Sequence, residues 1–406
     1  MNVIYNIGIY LLVFVCKIGS LFSKKLRMML QGQKQTYTLL NKIKAERKTA
    51  WFHCSSLGEF EQARNLIEYF RKNNPQWQIL VSFFSPSGYE IRKNYNQADC
   101  VVYLPFDTKR NAKRFVSKVK PDMVFFVKYE FWYNYIRVLK NIPLYQVSLI
   151  LRQNHYLLKP YSFWFRRQLK NFNHFFVQNE TTKQILSSMG YENVTISGDT
   201  RFDRVYKMSR ETKDFPLIEK FCQGDNKILV AGSSWEEDEK IISSAFNNDE
   251  SLKLILAPHL IDKAHIDNIL SMFDRAITYS TLNEENIKDK RVLIIDSIGI
   301  LSYLYRFADI VHIGGGFGVG IHNVLEAAVF SKPISFGPNY KKFQEAVDLI
   351  KIGAAKSITN ADEIKDFVQK TLYSDEQTYK SICQKAGDYV QSNVGATDKI
   401  LNFIHP

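Results

Sequence analysis

Two carboxylates and one glycine-rich run hold the residue types best suited to chemistry. Glu59 lies in HCSSLGEFEQA, Glu130 in KYEFWYN, and GGGFGVGIHNVLEAA occupies positions 314–328. Glu59 follows a short turn and opens a helix. Turn amides and the helix dipole favour an anion there. An ionised carboxylate suits a general base that takes a proton from a hydroxyl. A first-turn acid that only stabilises its own helix has the same pattern, and both readings stand. Glu130 ends an apolar run amid Tyr129, Phe131, Trp132 and Tyr133. It either orients a polar acceptor, with the rings stacking on sugar, or is a paired carboxylate beneath packed aromatics.

The glycine run implies a different chemistry. Gly315 and Gly316 let the backbone approach a phosphate, and a helix start attracts one. Asn323 reads as a helix N-cap with Glu326 three residues on, the spacing of a capping box. Glu326 is placed to accept hydrogen bonds from ribose hydroxyls, unless the pair only caps its helix. The run departs from G-x-G-x-x-G and follows a late strand, so a dinucleotide is not its expected ligand. The chain has no P-loop and no G-x-S-x-G elbow. No His, Cys and Asp cluster at ligand spacing, so no metal site is expected. A base in one half and a phosphate cradle in the other suggest sugar transfer from a nucleotide donor.

Short apolar runs must position these groups. TAWFHCS, WQILVSFF, CVVYLP, PDMVFFVK, PLYQVSLI and HFFVQN read as strands in the first half. KILVAGSS, LKLILAPH, RVLIIDS, ADIVHIGGG and KPISFGP read so in the second. Helical stretches between them imply parallel strands with crossover helices. A polar stretch at 204–226 divides the two series. Ligands of open parallel sheets bind beyond the carboxyl ends of the strands. Glu59, Glu130, His259, Ile298, Gly299 and the glycine run all fall at such ends. The expectation is two α/β domains facing a cleft.

Composition bounds the partners. At about 150 residues per domain, two domains suit the length. With 45% hydrophobic and 14% aromatic residues, the chain fills real cores and is not a disordered one. A net charge of +13 implies an anionic partner. The cations are dispersed, without an arginine-rich tail or zinc-finger spacing, so a membrane surface is favoured over nucleic acid. Cysteines at 16, 54, 100, 222 and 383 lack C-x-x-C spacing, which reads as a reduced, cytoplasmic chain. The start, MNVIYNIGIYLLVFVCKIGSLF, is apolar and KKLR follows. It barely reaches the roughly 20 residues of a spanning helix and lacks the marks of a cleaved signal peptide. An uncleaved anchor is expected, spanning or lying in the interface, with a core helix of the soluble domain as the alternative. Lys17, Lys24, Lys25 and Arg27 would keep the body cytoplasmic.

With these residues in view, the chain resembles the bacterial 3-deoxy-D-manno-octulosonic acid (Kdo) transferases from its anchor to its last helices. HCSSLGE resembles the family's Ser-Val-Gly-Glu block, which implies a catalytic base at Glu59 with Ser56 and Gly58 on the acceptor side. SFFSPSG resembles its Thr/Ser-rich turn and brings Ser85 and Ser87 to that side. KYEFWYN resembles its Glu-Leu-Trp-Pro-Asn block, with the second carboxylate at Glu130. HNVLEAA resembles the donor-binding His-Asn-x-Leu-Glu-x-Ala, which implies donor contacts at His322, Asn323, Val324, Leu325 and Glu326. YLPFD, GDTRFD, AGSSWEEDE and FGPNYKKF resemble further blocks in the family's order. Pro258 and His259 stand in the donor block Pro-Arg-His, so its arginine is missing; Ile298-Gly299-Ile300 replaces Met-Gly-Glu and loses a carboxylate. Trp235 replaces a histidine, Lys128 an acid and Tyr133 a proline.

The resemblance implies a GT-B fold, two Rossmann-like domains with an N-terminal membrane-anchor helix. The expected parts are an anchor at 1–27, an acceptor domain at 28–205 and a CMP-Kdo domain at 206–406. It implies metal-independent, inverting transfer of Kdo from CMP-Kdo to a lipid A precursor (lipid IVA), without a cofactor. It places the enzyme at the inner membrane, catalytic domains on the cytoplasmic side. A GT-B transferase using another nucleotide sugar, or a non-catalytic membrane-tethered binding protein, are the alternatives.

Overall fold

The structure, a computed structural model, describes residues 2–247 and 250–404. Met1 of the expected anchor, and 248–249 and 405–406 of the expected second domain, lie outside them. Contacts divide the chain into two units, Met1–Arg204 with Gly395–Pro406, and Val205–Val394.

The first unit begins with helices α1 (Asn2–Gly19) and α2 (Lys24–Leu39). Then come β1 (Thr49–His53), α3 (Leu57–Asn73), β2 (Gln78–Phe83), α4 (Pro86–Arg92), β3 (Cys100–Tyr103), α5 (Lys109–Val119) and β4 (Met123–Val127). β5 (Leu144–Leu149), β6 (His174–Val177) and β7 (Val194–Ile196) complete a sheet ordered β3-β2-β1-β4-β5-β6-β7. All pairs are parallel. Strands buried on both faces read as continuous apolar runs, and β1, β2 and β4 are buried at every residue. Their alternate side chains feed two cores. Trp51, Val124 and Phe126 fill one, and Ala50, Phe52 and Phe125 the other. The strand order reverses between β1 and β4, the switch point where the loops diverge and leave a crevice.

The second unit repeats the plan. β8 (Lys227–Ser234), β9 (Leu252–Pro258), β10 (Ala276–Thr278), β11 (Val292–Ile294), β12 (Ile310–Ile313), β13 (Ile334–Phe336) and β14 (Ala355–Ser357) form a parallel sheet. Its order is β10-β11-β9-β8-β12-β13-β14. The reversal falls between β8 and β12. These are two Rossmann-like sheets in series, as expected.

Two boundaries differ from expectation, while the division expected near 205 falls at Arg204/Val205. The expected second domain, 206–406, ends at Val394. The helix Ala396–Phe403 adds Ile400 to the first unit's core and sets Phe403 5.4 Å from Phe176 of β6. Asp203 fixes its start, accepting from Thr397 N at 2.6 Å and Thr397 Oγ1 at 2.6 Å. The polar stretch at 204–226 is largely helix, Thr200–Ser209 and Pro216–Phe221. Phe215, Ile218 and Phe221 are buried there, so its few apolar residues outweigh its polar composition.

The expected anchor at 1–27 is also no separate part. α1 ends at Gly19, position 27 lies within α2, and the two helices are bent by 119°. Among the described residues, no single helix is long and apolar enough to cross a membrane. α1 packs into the first unit through Val13 and Cys16 and through two polar residues. Tyr5 Oη donates to Asp107 Oδ2 at 2.6 Å, and Asn134 Nδ2 donates to the buried Asn6 Oδ1 at 3.1 Å. Its other side exposes Ile4, Ile7, Leu11, Phe14 and Ile18. That 3-4 spacing makes one apolar stripe.

Candidate functional site

In the first unit the loops after β1 and β4 carry Glu59 and Glu130, one on each side of the switch point. β1 ends at His53, and Cys54 to Ser56 lead into α3. Ser56 is the N-cap of α3 and Glu59 its N3 residue, a capping box. Ser56 N donates to Glu59 Oε2 at 2.6 Å, and the Ser56 hydroxyl reaches the same oxygen. Among the described residues, Glu59 Oε1 makes no hydrogen bond. So one oxygen fixes the helix start and the other is left for a proton. Both readings of Glu59 therefore fit one geometry.

Glu130 is buried, at 8% exposure. Its Oε2 meets His53 Nε2 at 3.2 Å and accepts from the Trp132 indole. The Ser55 hydroxyl adds a further bond. Burial alone would raise the Glu130 carboxyl, but His53, Ser55 and Trp132 together hold it below the usual carboxylate range. His53 is itself oriented from behind, its Nδ1 2.9 Å from Ser82 Oγ, which also accepts from Trp51 Nε1 at 2.7 Å. Glu130 is thus the paired carboxylate of the sequence alternatives, tied into a buried network. Adjacent serines serve the two acids: Ser55 holds Glu130 and Ser56 holds Glu59.

The acceptor-side residues gather on the same loops. Ser85 N donates to Ser55 O at 2.7 Å, and Ser85 Oγ lies 2.9 Å from Ser87 Oγ. Gly58 is exposed in the first turn of α3. Tyr129 brings a positive neighbourhood. Burial pushes its phenol up, while Arg152 and Arg201 pull the other way and Glu59 and Asp199 lie close enough to be felt.

Glu130 carries a testable pH effect. Its folded value lies below the unfolded one, so its stabilising contribution is present above the unfolded value and lost as pH falls through the folded one. The difference in urea midpoint between wild type and Glu130→Gln is expected to be constant at neutral pH and to shrink below about pH 4.3. A difference that widens there would contradict the network.

In the second unit the loops after β8 and β12 flank the switch point. Asp238, fully buried at the third position of the helix Glu236–Phe246, ties them together. Its Oδ2 accepts from Trp235 N at 2.9 Å and from Gly315 N at 2.9 Å, and its Oδ1 lies 3.3 Å from His312 Nε2. Asp238→Ala is expected to destabilise by ~1–3 kcal/mol for each backbone donor left unpaired and to loosen the Gly315 turn. Denaturation and nucleotide titration would both register it; unchanged values would remove Asp238 from this role.

Three rings cover the turn. Trp235 stacks on His259 at 4.6 Å, and His259 lies 4.7 Å from His322. The Trp235 indole donates to His322 Nε2 at 3.2 Å. An indole N–H only donates, so Nε2 is bare and the His322 proton sits on Nδ1. Burial and then His259 hold His322 below the ordinary imidazole value, consistent with a neutral ring that offers one N–H. Gly318, Val319, Asn339, Lys341 and Lys342 line a pocket of about 440 Å3 beside the turn.

Other expected donor residues divide. Pro258 ends β9, while Ile298 is 86% exposed and Gly299 and Ile300 continue that loop. Val324 and Leu325 are fully buried, with their side chains in the core. Asn323 is not the N-cap expected. The helix Leu325–Ala328 has Val324 in that place and is a single turn. Asn323 Oδ1 instead accepts from Leu325 N at 3.2 Å, and its amide donates to Glu326 Oε1 at 3.0 Å. The pair is preformed without being a capping box. Among the described residues, no group of three or more His, Cys, Asp or Glu side chains is placed to hold a metal ion. His53 and Asp238 escaped the sequence reading. A polar residue closing a wholly apolar strand, and an acid at a helix's third position, were their signals.

Two Rossmann-like sheets in series, each with its polar loops at its own switch point, define the GT-B fold class. Residues 31–204 match the family described as 3-Deoxy-D-manno-octulosonic-acid transferase (kdotransferase). The chain is similar to the Kdo transferases, by that family's model in its first unit and to members of the family over most of its length. It is 27% identical to a 3-deoxy-D-manno-octulosonic acid transferase of Rickettsia bellii, over 87% of this chain and 87% of that one. It is 30% identical to a bifunctional glycosyltransferase/methyltransferase of Fusobacterium nucleatum, over 79% of this chain but about half, 51%, of that relative. The UDP-GlcNAc 2-epimerase of Neisseria meningitidis shares the fold, with a TM-score of 0.60 and 17% identity over 87% of this chain and 98% of that one.

Proposed function

We propose that this chain moves Kdo from CMP-Kdo to a sugar hydroxyl of a lipid A precursor, with inversion and without a metal. The placement of Glu59 supports this most directly: it sits at the switch point of the first sheet with one carboxylate oxygen uncommitted. The hydroxyl oxygen attacks the anomeric carbon of Kdo, the bond from that carbon to the CMP phosphate oxygen breaks, and the proton passes to Glu59. Glu130 stays ionised and rigid, and positions the loop that carries Tyr129 and Trp132. Arg152 and Arg201 supply positive charge for phosphates on the acceptor. In the second unit the Gly315 turn, His322 Nδ1–H and the Lys341–Lys342 pocket receive the CMP phosphate. Asn323 and Glu326 take the ribose. The apolar stripe of α1 lies in the cytoplasmic face of the inner membrane as an interfacial helix, where the lipid acceptor resides.

The test is a product assay by mass spectrometry with CMP-Kdo and tetra-acylated lipid A precursor. A Kdo-bearing lipid is expected; no mass change would end this reading. His259, stacked on Trp235 where relatives are expected to place an arginine, favours a second reading, a different nucleotide sugar as donor. Saturation-transfer NMR with CMP against UDP and GDP separates the two.

A further inference from the structure

A cavity of about 500 Å3 lies between α1, α2 and the loop after β3. It belongs to neither loop cluster described above. Lys17 of α1 and Arg27 and Lys34 of α2 line it, with no acidic residue among its walls. Arg27 also ties down the end of α1, its Nε donating to Ser20 O at 3.2 Å and its Nη2 to Leu21 O at 3.0 Å. Gln33 and Tyr37 line the same cavity, and both carry a water-shielded polar atom without a partner, Gln33 Nε2 and Tyr37 Oη. Both atoms can donate. A native protein seldom leaves such groups unmet without a ligand or a strained role. Phe106 and Leu30 add an apolar wall.

Three cations, the polar side chains of Gln33 and Tyr37 and an apolar wall call for an anion with a greasy tail. The cavity's position narrows the choice. It opens beside the helix whose outer stripe, from Ile4 to Ile18, is apolar and exposed. Cations at the border of such a stripe sit at head-group depth. We propose that this cavity binds the phosphate of a single anionic glycerophospholipid, with the glycerol and first acyl carbons against Phe106 and Leu30. The site holds the first unit in one orientation on the bilayer. This rests on α1 lying at the membrane surface, and the experiment below separates the two.

The probe is dihexanoyl phosphatidylglycerol kept below its micelle concentration, titrated calorimetrically into the full chain. Dihexanoyl phosphatidylcholine and inorganic phosphate are the comparisons. The phosphatidylglycerol is expected to bind roughly tenfold or more tighter than either, and Lys17→Ala/Lys34→Ala to weaken it by roughly tenfold or more. Both lysines are on the surface, so circular dichroism of that variant should match wild type. Gln33→Leu is the second variant; it keeps the charges and should also weaken binding. Equal binding of the two lipids, or no effect of either variant, overturns the proposal. Phosphate binding as tightly as the lipid also overturns it, leaving a free-anion site. In parallel, Ile7→Asp/Phe14→Asp is expected to lose binding to phosphatidylcholine vesicles containing phosphatidylglycerol while keeping the soluble lipid. If that variant still binds vesicles, the membrane placement of α1 fails and the head-group cavity stands.

Discussion

Glu59→Gln is expected to lower kcat for Kdo transfer by about 10²–10⁴-fold, the range for losing a general base, with the fold and CMP binding intact. The choice of glutamine matters because Glu59 serves two roles at once. Its Oε2 closes the capping box with Ser56. Glutamine closes such a box as well as glutamate does, so the start of α3 survives and only basicity is lost. Alanine would remove both roles and cost about 1 kcal/mol of stability besides. Single-turnover assays on the two variants, with melting curves, therefore separate chemistry from capping. If glutamine keeps more than about a tenth of wild-type turnover, general-base help at this position is too small to matter and Glu59 is a helix cap. CMP titration is the control, since the residues proposed to bind it lie in the second unit.

The sheets were legible in the sequence wherever a strand is buried on both faces. TAWFHCS, PDMVFFVK and KILVAGSS announced β1, β4 and β8 because helices cover both sides and leave no polar alternation. β7, β10 and β14 were not legible. Each has three residues and stands at a sheet edge, where one hydrogen-bonding side has no neighbour and little apolar sequence is required. The positions of Glu59, Glu130 and the glycine run at strand ends were readable, because strand ends follow from strand bodies. Their partners were not. His53 and Glu130 stand 77 residues apart and meet at 3.2 Å; Asp238 and Gly315 stand 77 apart and meet at 2.9 Å. Such pairs depend on which strands lie side by side, and periodicity says nothing about strand order. The first helix was legible only in part for a related reason. Its apolar length was visible, but that Tyr5 and Asn6 turn inward to Asp107 and Asn134 required the fold.

The second large effect is expected at Gly316. The sequence suggested that its missing side chain lets a phosphate approach, yet in the fold it is the chain's own backbone that approaches. A Cβ built at Gly316 would stand 2.5 Å from Gly337 N and 2.6 Å from Gly337 Cα. The reverse holds too, a Cβ at Gly337 meeting Gly316 C at 2.6 Å. These are the loops after β12 and β13, crossing with backbone on backbone, and Asn339 N donates to Gly316 O at 2.9 Å across the same crossing. No flexible side chain is there to yield. Gly316→Ala must push one loop off the other, and overpacking of this kind destabilises by about 1–3 kcal/mol. It also shifts the turn that carries Gly315 and His322, so CMP affinity is expected to fall with stability. Gly318→Ala is the matched control. Its nearest neighbour would be Gly315 O at 3.8 Å, ordinary contact, so its unfolding free energy should stay within ~0.5 kcal/mol of wild type. Equal midpoints for the two alanine variants would mean that the crossing does not hold this end of the second sheet together. A Gly316→Ala protein of full stability that has lost CMP binding would instead return the glycine to its first reading, a place kept open for phosphate.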